Sequence, residues 1–204
     1  MIVLVRHGET AFNAARILQP PEVPLNERGL AQAARAAQRI ATLGGAALIS
    51  SDLQRAQMTA AAISQATNLG VELEPLLQER NFGALRGRRY EDVGDEIWGA
   101  DYEPPEGESL ATFSARVARA WEAVIRRAAA TNGNLVVVTH GMVCSSIARQ
   151  FFALDERQSM PSRWGNTSIS LCEPVAPHRV QVLNCVEHLT DSDDARDGSA
   201  PSGL

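Results

Sequence analysis

Alternation constrains this chain most. Three short apolar runs, IVLV at 2–5, AALIS at 46–50 and LVVVT at 135–139, are each followed by a stretch of helical character. Strand-like runs alternating with helices predict an α/β fold: a single three-layer domain with a largely parallel central sheet flanked by helices. The clearest helix starts near Ser109, where Leu110, Phe113, Val117, Trp121 and Val124 recur at helical spacing and Gly133 is placed to stop it. Another runs from about Arg28, with Leu30, Ala33, Ala37 and Ile40 on one face. Near the end, SISLCE at 168–173 and VQVLNC at 180–185 read as strands joined by a Pro-containing turn. There is no internal repeat and no break that would divide the chain, so residues 1–190 are expected to form one domain. From Asp191 the composition turns to Asp, Ser, Gly and Pro, and a disordered tail over 191–204 is expected.

Composition narrows the function classes. At 204 residues and 45% hydrophobic, the chain can enclose a core without disulfide or metal staples. Its cysteines, Cys144, Cys172 and Cys185, are odd in number and widely spaced, which suggests neither a disulfide framework nor a zinc site and fits a reducing compartment. The apolar run at 2–5 is far shorter than a signal peptide's, and no run approaches the roughly 20 residues of a membrane span. A cytoplasmic protein is expected, with no membrane partner. A net charge of −5 argues against nucleic acid as a partner. All 19 basic residues are arginine, which excludes a lysine Schiff base and a lysine-containing phosphate loop.

Polar residues at the strand ends carry the functional signal. His7 follows the first apolar run, Arg55 lies a few residues past the second, and His140 follows LVVVT directly. In open α/β sheets ligands sit outside the carboxyl ends of the strands. Three segments thus aim titratable or charged groups at one edge. Arg6 and Arg55 make that edge cationic, and guanidinium forks match phosphate oxygens in geometry as well as charge. A phosphate pocket is the expectation.

Taken in order, LVRHGET at 4–10, SSDLQRAQMTA at 50–60, LQERNFGALRG at 77–87 and VVTHGMV at 137–143 resemble the histidine phosphatase superfamily, also called the phosphoglycerate mutase-like family. Weaker echoes are PLNERGLAQA at 24–33 and PPEGESLATF at 104–113. The resemblance implies the phosphoglycerate mutase-like fold. It also implies that His7 is a phosphorylated nucleophile, that Arg6, Arg55 and His140 hold the phosphoryl group, that Asn13 adds a phosphate contact, and that Glu79 protonates the leaving group. No cofactor is implied, and a homodimer is common among relatives.

The chemistry is consistent with those residue types. Phosphoryl transfer needs an in-line nucleophile and compensation for charge on the equatorial oxygens. A neutral imidazole supplies the first, and two arginines with a second histidine supply the second without a metal. A carboxyl of raised pKa can protonate the leaving alkoxide; burial and the incoming phosphate would raise Glu79, and the arginines would oppose them. His178 and His188 have no motif around them and are read as structural or exposed. Arg88 and Arg89 read either as a surface cluster or as part of the substrate entrance, and Trp98, Trp121 and Trp164 as packing.

Cys144-Ser-Ser-Ile-Ala-Arg149 approaches the motif of cysteine-dependent phosphatases, which separate Cys and Arg by five residues. Only four intervene, on a segment that reads as a helix, so Cys144 is assigned to the core. Phosphoglycerate mutases carry an inserted Trp-Arg-Arg; here Ile97-Trp98-Gly99-Ala100 lacks the arginines. Pro20 and Met58 replace the glycine and glutamine usual in relatives. The expectation is a metal-independent phosphomonoesterase acting on a small phosphorylated metabolite: a sugar phosphate, a phosphoglycerate or a nucleotide-loop precursor phosphate of cobalamin synthesis. The alternatives are a cofactor-dependent phosphoglycerate mutase and, from another class, a weakly catalytic phospho-ligand-binding protein.

Overall fold

The computed structural model describes residues 1–99 and 102–189. The expected tail, 191–204, lies outside the described residues, as does Ala100. Six strands form one sheet: β1 (Ile2–Arg6), β2 (Gly45–Ser50), β3 (Val71–Leu73), β4 (Asn134–Thr139), β5 (Ile169–Cys172) and β6 (Val180–Cys185), in the order β3-β2-β4-β1-β5-β6. β1 runs parallel to β4, β4 to β2, and β2 to β3, whereas β5 is antiparallel to both β1 and β6. The sheet is largely parallel, as expected.

Helices cover both faces, which is why the central strands are apolar without alternation. α1 (Ala11–Ala14) is a single short turn; α2 (Glu27–Leu43) and α3 (Gln54–Thr67) cover one face, α4 (Leu110–Ala129) and α5 (Gly141–Phe151) the other. Val3, Val5, Val136 and Val138 meet Ala37 and Ile40 of α2 and Ala56, Ala60 and Ile63 of α3. On the opposite side Ile2, Leu4, Leu135 and Val137 meet Phe113, Val117, Trp121 and Val124 of α4 with Val143 and Ile147 of α5. Trp121 is 1% exposed, and burial of such a side chain contributes roughly 2–3 kcal/mol.

This layering places the crevice. The chain leaving β1 goes to α2 on one face, and the chain leaving the adjacent β4 goes to α5 on the other. The carboxyl ends of β1 and β4 therefore part around a switch point, where α/β sheets bind ligands.

Several local expectations shift. The helix expected from Arg28 starts at Glu27, with Asn26 accepting from the Gly29 amide as its cap. Ala33, Ala37 and Ile40 are buried, but Leu30 is 49% exposed. At 100° per residue Leu30 lies roughly a quarter-turn from the middle of the face formed by Gly29, Gln32, Ala33, Ala36 and Ile40. The Ser109 helix ends at Ala129, before Gly133. Gly133 instead takes φ 136° in the turn into β4, where a side chain would press on Ala46.

Between β3 and α4 the chain forms a cap of short 3₁₀ turns at Pro75–Leu77, Gly83–Leu85, Tyr90–Asp92 and Asp95–Trp98. The cap has its own apolar cluster, with Leu18, Phe82, Leu85, Val93 and Ile97 at its centre and Met142 of α5 against it. Backbone bonds from Leu18 N to Arg88 O (2.9 Å) and Gly87 N to Leu18 O (2.7 Å) stitch it to the loop after α1. No helix among the described residues is long and apolar enough to cross a membrane.

Candidate active site

Arg6 ends β1, and His7 continues the pairing one step further, its amide donating to Thr139 O at 2.9 Å. The His7 carbonyl accepts from Thr167 N (3.2 Å) and Asn166 Nδ2 (3.1 Å), so its backbone is held from two sides. Gly8 follows because nothing larger fits: a Cβ there would lie 2.5 Å from the Gly29 carbonyl, and one on Gly29 would lie 2.0 Å from that of Glu9. The Glu9 carboxylate turns away from the crevice to accept from Arg28 Nη1 (2.7 Å) and Asn26 Nδ2 (2.8 Å). It anchors the start of α2.

The His7 ring is 98% buried and its Nδ1 lies 2.7 Å from Gly8 O. A carbonyl only accepts, so Nδ1 carries the proton and Nε2 of the neutral ring carries a lone pair. Burial, then the charges of Arg55 and Arg6, push His7 well below the usual imidazole range, against a small opposing pull from Gly8 O. The ring is neutral at physiological pH.

His140 caps α5, fully buried, with its ring centroid 5.1 Å from that of His7. Its Nε2 lies 2.8 Å from Ser51 Oγ. When that hydroxyl donates, the ring proton sits on Nδ1, which meets no partner among the described residues. Burial, then Arg55, His7 and Arg6, hold His140 well below its ordinary value too. Arg55, in the first turn of α3, is 2% exposed and donates to Pro20 O at 3.2 Å. Arg6 donates to Trp164 O. Neither Nε of these two arginines finds a partner among the described residues. Burial lowers both guanidiniums, Arg55 to about 10, and a guanidinium in a protein keeps its charge. Two buried cations with unfilled donors form a ready site for an anion.

Glu79 faces them from the cap. Its Oε2 accepts from Met142 N of α5 (3.1 Å) and its Oε1 from Arg80 N (3.0 Å). Arg6, His7, Asn13 and Glu79 line one cleft of about 100 Å³, together with Gln19, Phe82, Tyr90, Met142, Arg163 and Trp164 among others. Asn13 caps α1 reciprocally with Thr10 and receives Asn166 Nδ2 at 3.4 Å. Arg55 and His140, expected at the phosphate, do not line this cleft, although His140 packs against His7, which does. A tetrahedral anion in this cleft would meet a neutral nitrogen lone pair, fixed cations and a carboxyl group within one enclosure. Among the described residues no group of three or more His, Cys, Asp or Glu could hold a metal ion.

Other expectations resolve individually. Trp121 is core, but Trp98 and Trp164, read as packing, also line the cleft. Arg88 donates to Asp92 O and Arg89 sits beside Glu91 at 3.7 Å; neither lines it. His178 packs on Trp121 at 5.4 Å, and His188 contacts Thr167 Oγ1 at 3.1 Å. Cys144 lies inside α5 with its thiol pushed far up by burial, which leaves it inert. Sequence reasoning missed Ser51, Thr59, Asn166, Tyr90 and Arg163. Ser51 and Thr59 fall inside the quoted SSDLQRAQMTA stretch, so proximity to Arg55 was the available signal; Thr59 Oγ1 accepts from Gly8 N at 3.1 Å.

The model of the histidine phosphatase superfamily (branch 1) matches residues 2–185. A protein named "Probable phosphoglycerate mutase GpmB" from Erwinia tasmaniensis is 34% identical over 179 residues, covering 83% of this chain and 82% of that protein. Among solved structures, a putative alpha-ribazole-5'-P phosphatase from Escherichia coli is 29% identical with a TM-score of 0.72, over 90% of this chain and 95% of that one. TTHB049 from Thermus thermophilus is 31% identical with a TM-score of 0.68, over 89% and 96%. With a family match over nearly the whole described chain and a relative 34% identical over 83% of it, the chain belongs to the histidine phosphatase superfamily, branch 1.

Proposed function

We propose that this protein is a metal-independent phosphomonoesterase that hydrolyses a small phosphorylated metabolite through a phosphohistidine on His7. One observation carries the reading: the Nδ1–H to Gly8 carbonyl bond leaves the Nε2 lone pair free on a histidine that lines the cleft with the buried Arg6 and feels the charge of Arg55 as well. The Nε2 lone pair attacks phosphorus in line with the ester oxygen. As the P–N bond forms the P–O bond breaks, and the leaving alkoxide takes the proton of the Glu79 carboxyl. Arg6, Arg55, His140 and Asn13 hold the equatorial oxygens, Arg55 and His140 from the inner side. Water then attacks the phosphohistidine, its proton passes to the Glu79 carboxylate, and the P–N electron pair returns to His7. Orthophosphate leaves.

A second reading, a cofactor-dependent phosphoglycerate mutase, is favoured by the name of the Erwinia relative. Against it, the Trp98–Gly99 segment brings no arginine to the cleft: Trp98 packs edge-on against Phe82 (5.8 Å) and Tyr90 (5.7 Å). A panel of phosphorylated metabolites, including phosphoglycerates and the alpha-ribazole phosphate named for the Escherichia coli neighbour, should release phosphate in excess EDTA. With 3-phosphoglycerate and catalytic 2,3-bisphosphoglycerate little 2-phosphoglycerate should form. Efficient interconversion would establish the second reading, and loss of activity on chelation restored by Mg²⁺ would overturn the metal-free mechanism.

A further inference from the structure

The stretch PPEGESLATF finds no role in the cleft, yet it supplies one half of an ion pair beneath the segment that carries Glu79. Arg116, in the second turn of α4, directs Nε to Glu108 Oε1 (2.7 Å) and Nη2 to Glu108 Oε2 (2.8 Å). Its remaining hydrogens go to three backbone carbonyls of one strip: Leu76 (2.8 Å) and Gln78 (2.8 Å) from Nη1, and Glu79 (3.2 Å) from Nη2. All five guanidinium donors are thereby used. Glu108 answers from the other side, its Oε2 accepting from Asn81 N at 3.0 Å and its carbonyl from Arg80 Nε at 3.0 Å. Both side chains of the pair are 16% exposed.

We infer that the Arg116–Glu108 pair is a positioning device that fixes where the Glu79 carboxyl stands. Residues 76–81 contain only one short 3₁₀ turn, so no helix or strand ladder dictates their path. The guanidinium takes over that task, linking the strip to the long helix α4. The carboxyl group is held separately by the amides of Met142 and Arg80. With its backbone tied to α4 and its head tied to α5, Glu79 has two rigid references. Lysine could not replace the arginine, because a single ammonium with three donors cannot span the carboxylate fork and three carbonyls at once.

This inference rests on the proton-donor role proposed for Glu79, and the test separates the two. Single-turnover formation of phosphohistidine is measured for wild type, Arg116→Lys and Glu108→Gln with an alkyl phosphate and with p-nitrophenyl phosphate, whose leaving group needs no proton. Displacing a catalytic group by about 1 Å can cost on the order of 100-fold, so the alkyl substrate should slow by about 10- to 100-fold. The p-nitrophenyl substrate should slow by no more than about threefold, since Glu79 is not needed for it. In a Glu79→Gln background, Arg116→Lys should add little further loss for the alkyl substrate. Equal slowing of both substrates, or full additivity with Glu79→Gln, would overturn the positioning role while leaving the phosphohistidine mechanism intact. If Arg116→Lys does not fold, Glu108→Gln alone must show the same substrate contrast. Failure of the wild type to form phosphohistidine would overturn the underlying reading instead.

Discussion

At the scale of single residues, the site separates groups named by motif from groups found only in space. Arg6, His7, Arg55, Glu79 and His140 were legible because each sits in a motif at a strand end or in the ordered set of four. Asn166 and Arg116 were not, because a polar side chain bonded to a distant backbone group leaves no periodic trace in sequence, and Ser51 and Thr59 had only their nearness to Arg55 to mark them. Glu79 gives the sharpest expectation at this scale. An alkoxide from a sugar or glycerate is strongly basic and leaves with a proton, an effect worth about 10²–10⁴-fold. Glu79→Gln should lose roughly that factor in phosphohistidine formation from alkyl phosphates and far less from p-nitrophenyl phosphate. Rapid-quench rates on both substrates decide it, and equal losses would remove the general-acid role.

At the scale of elements, legibility follows burial. β1, β2 and β4 declared themselves because helices cover both faces, which demands continuous apolar runs. β3 did not, because it is a three-residue edge strand exposed throughout, and the cap from Pro75 to Trp98 did not because 3₁₀ turns have no sustained period. The Gly8–Gly29 approach is a tight joint between elements at the site. Gly29→Ala would set a Cβ 2.0 Å from the Glu9 carbonyl and should destabilise by about 1–3 kcal/mol, several degrees in Tm. Gly70→Ala, with nothing within 4 Å of the new atom, should be neutral or stabilising by less than about 1 kcal/mol. Paired thermal melts test the contrast, and equal effects would show that the joint can relax.

For the whole molecule, the buried histidines tie stability to pH. Burial and nearby arginines hold His7 and His140 well below the usual imidazole value of about 6.5, and burial with Arg39 and Arg35 lowers His188 to about 4. The unfolded chain binds protons that the folded chain refuses, so stability is complete above about pH 6.5 and falls as pH drops toward the folded values. Each proton can contribute up to about 1.4 kcal/mol per pH unit in that window. Urea midpoints should therefore decline between pH 7 and pH 5, and His188→Gln should flatten part of the slope; a level profile would mean the rings protonate in place. The central claim, that His7 carries the phosphoryl group, is tested most directly by quenching the enzyme milliseconds after mixing with a ³²P-labelled phosphomonoester and locating the label. Acid-labile, base-stable phosphate mapped to the peptide containing His7, and absent in His7→Ala, is the expected result; label on a serine or cysteine, or turnover undiminished in His7→Ala, would contradict it.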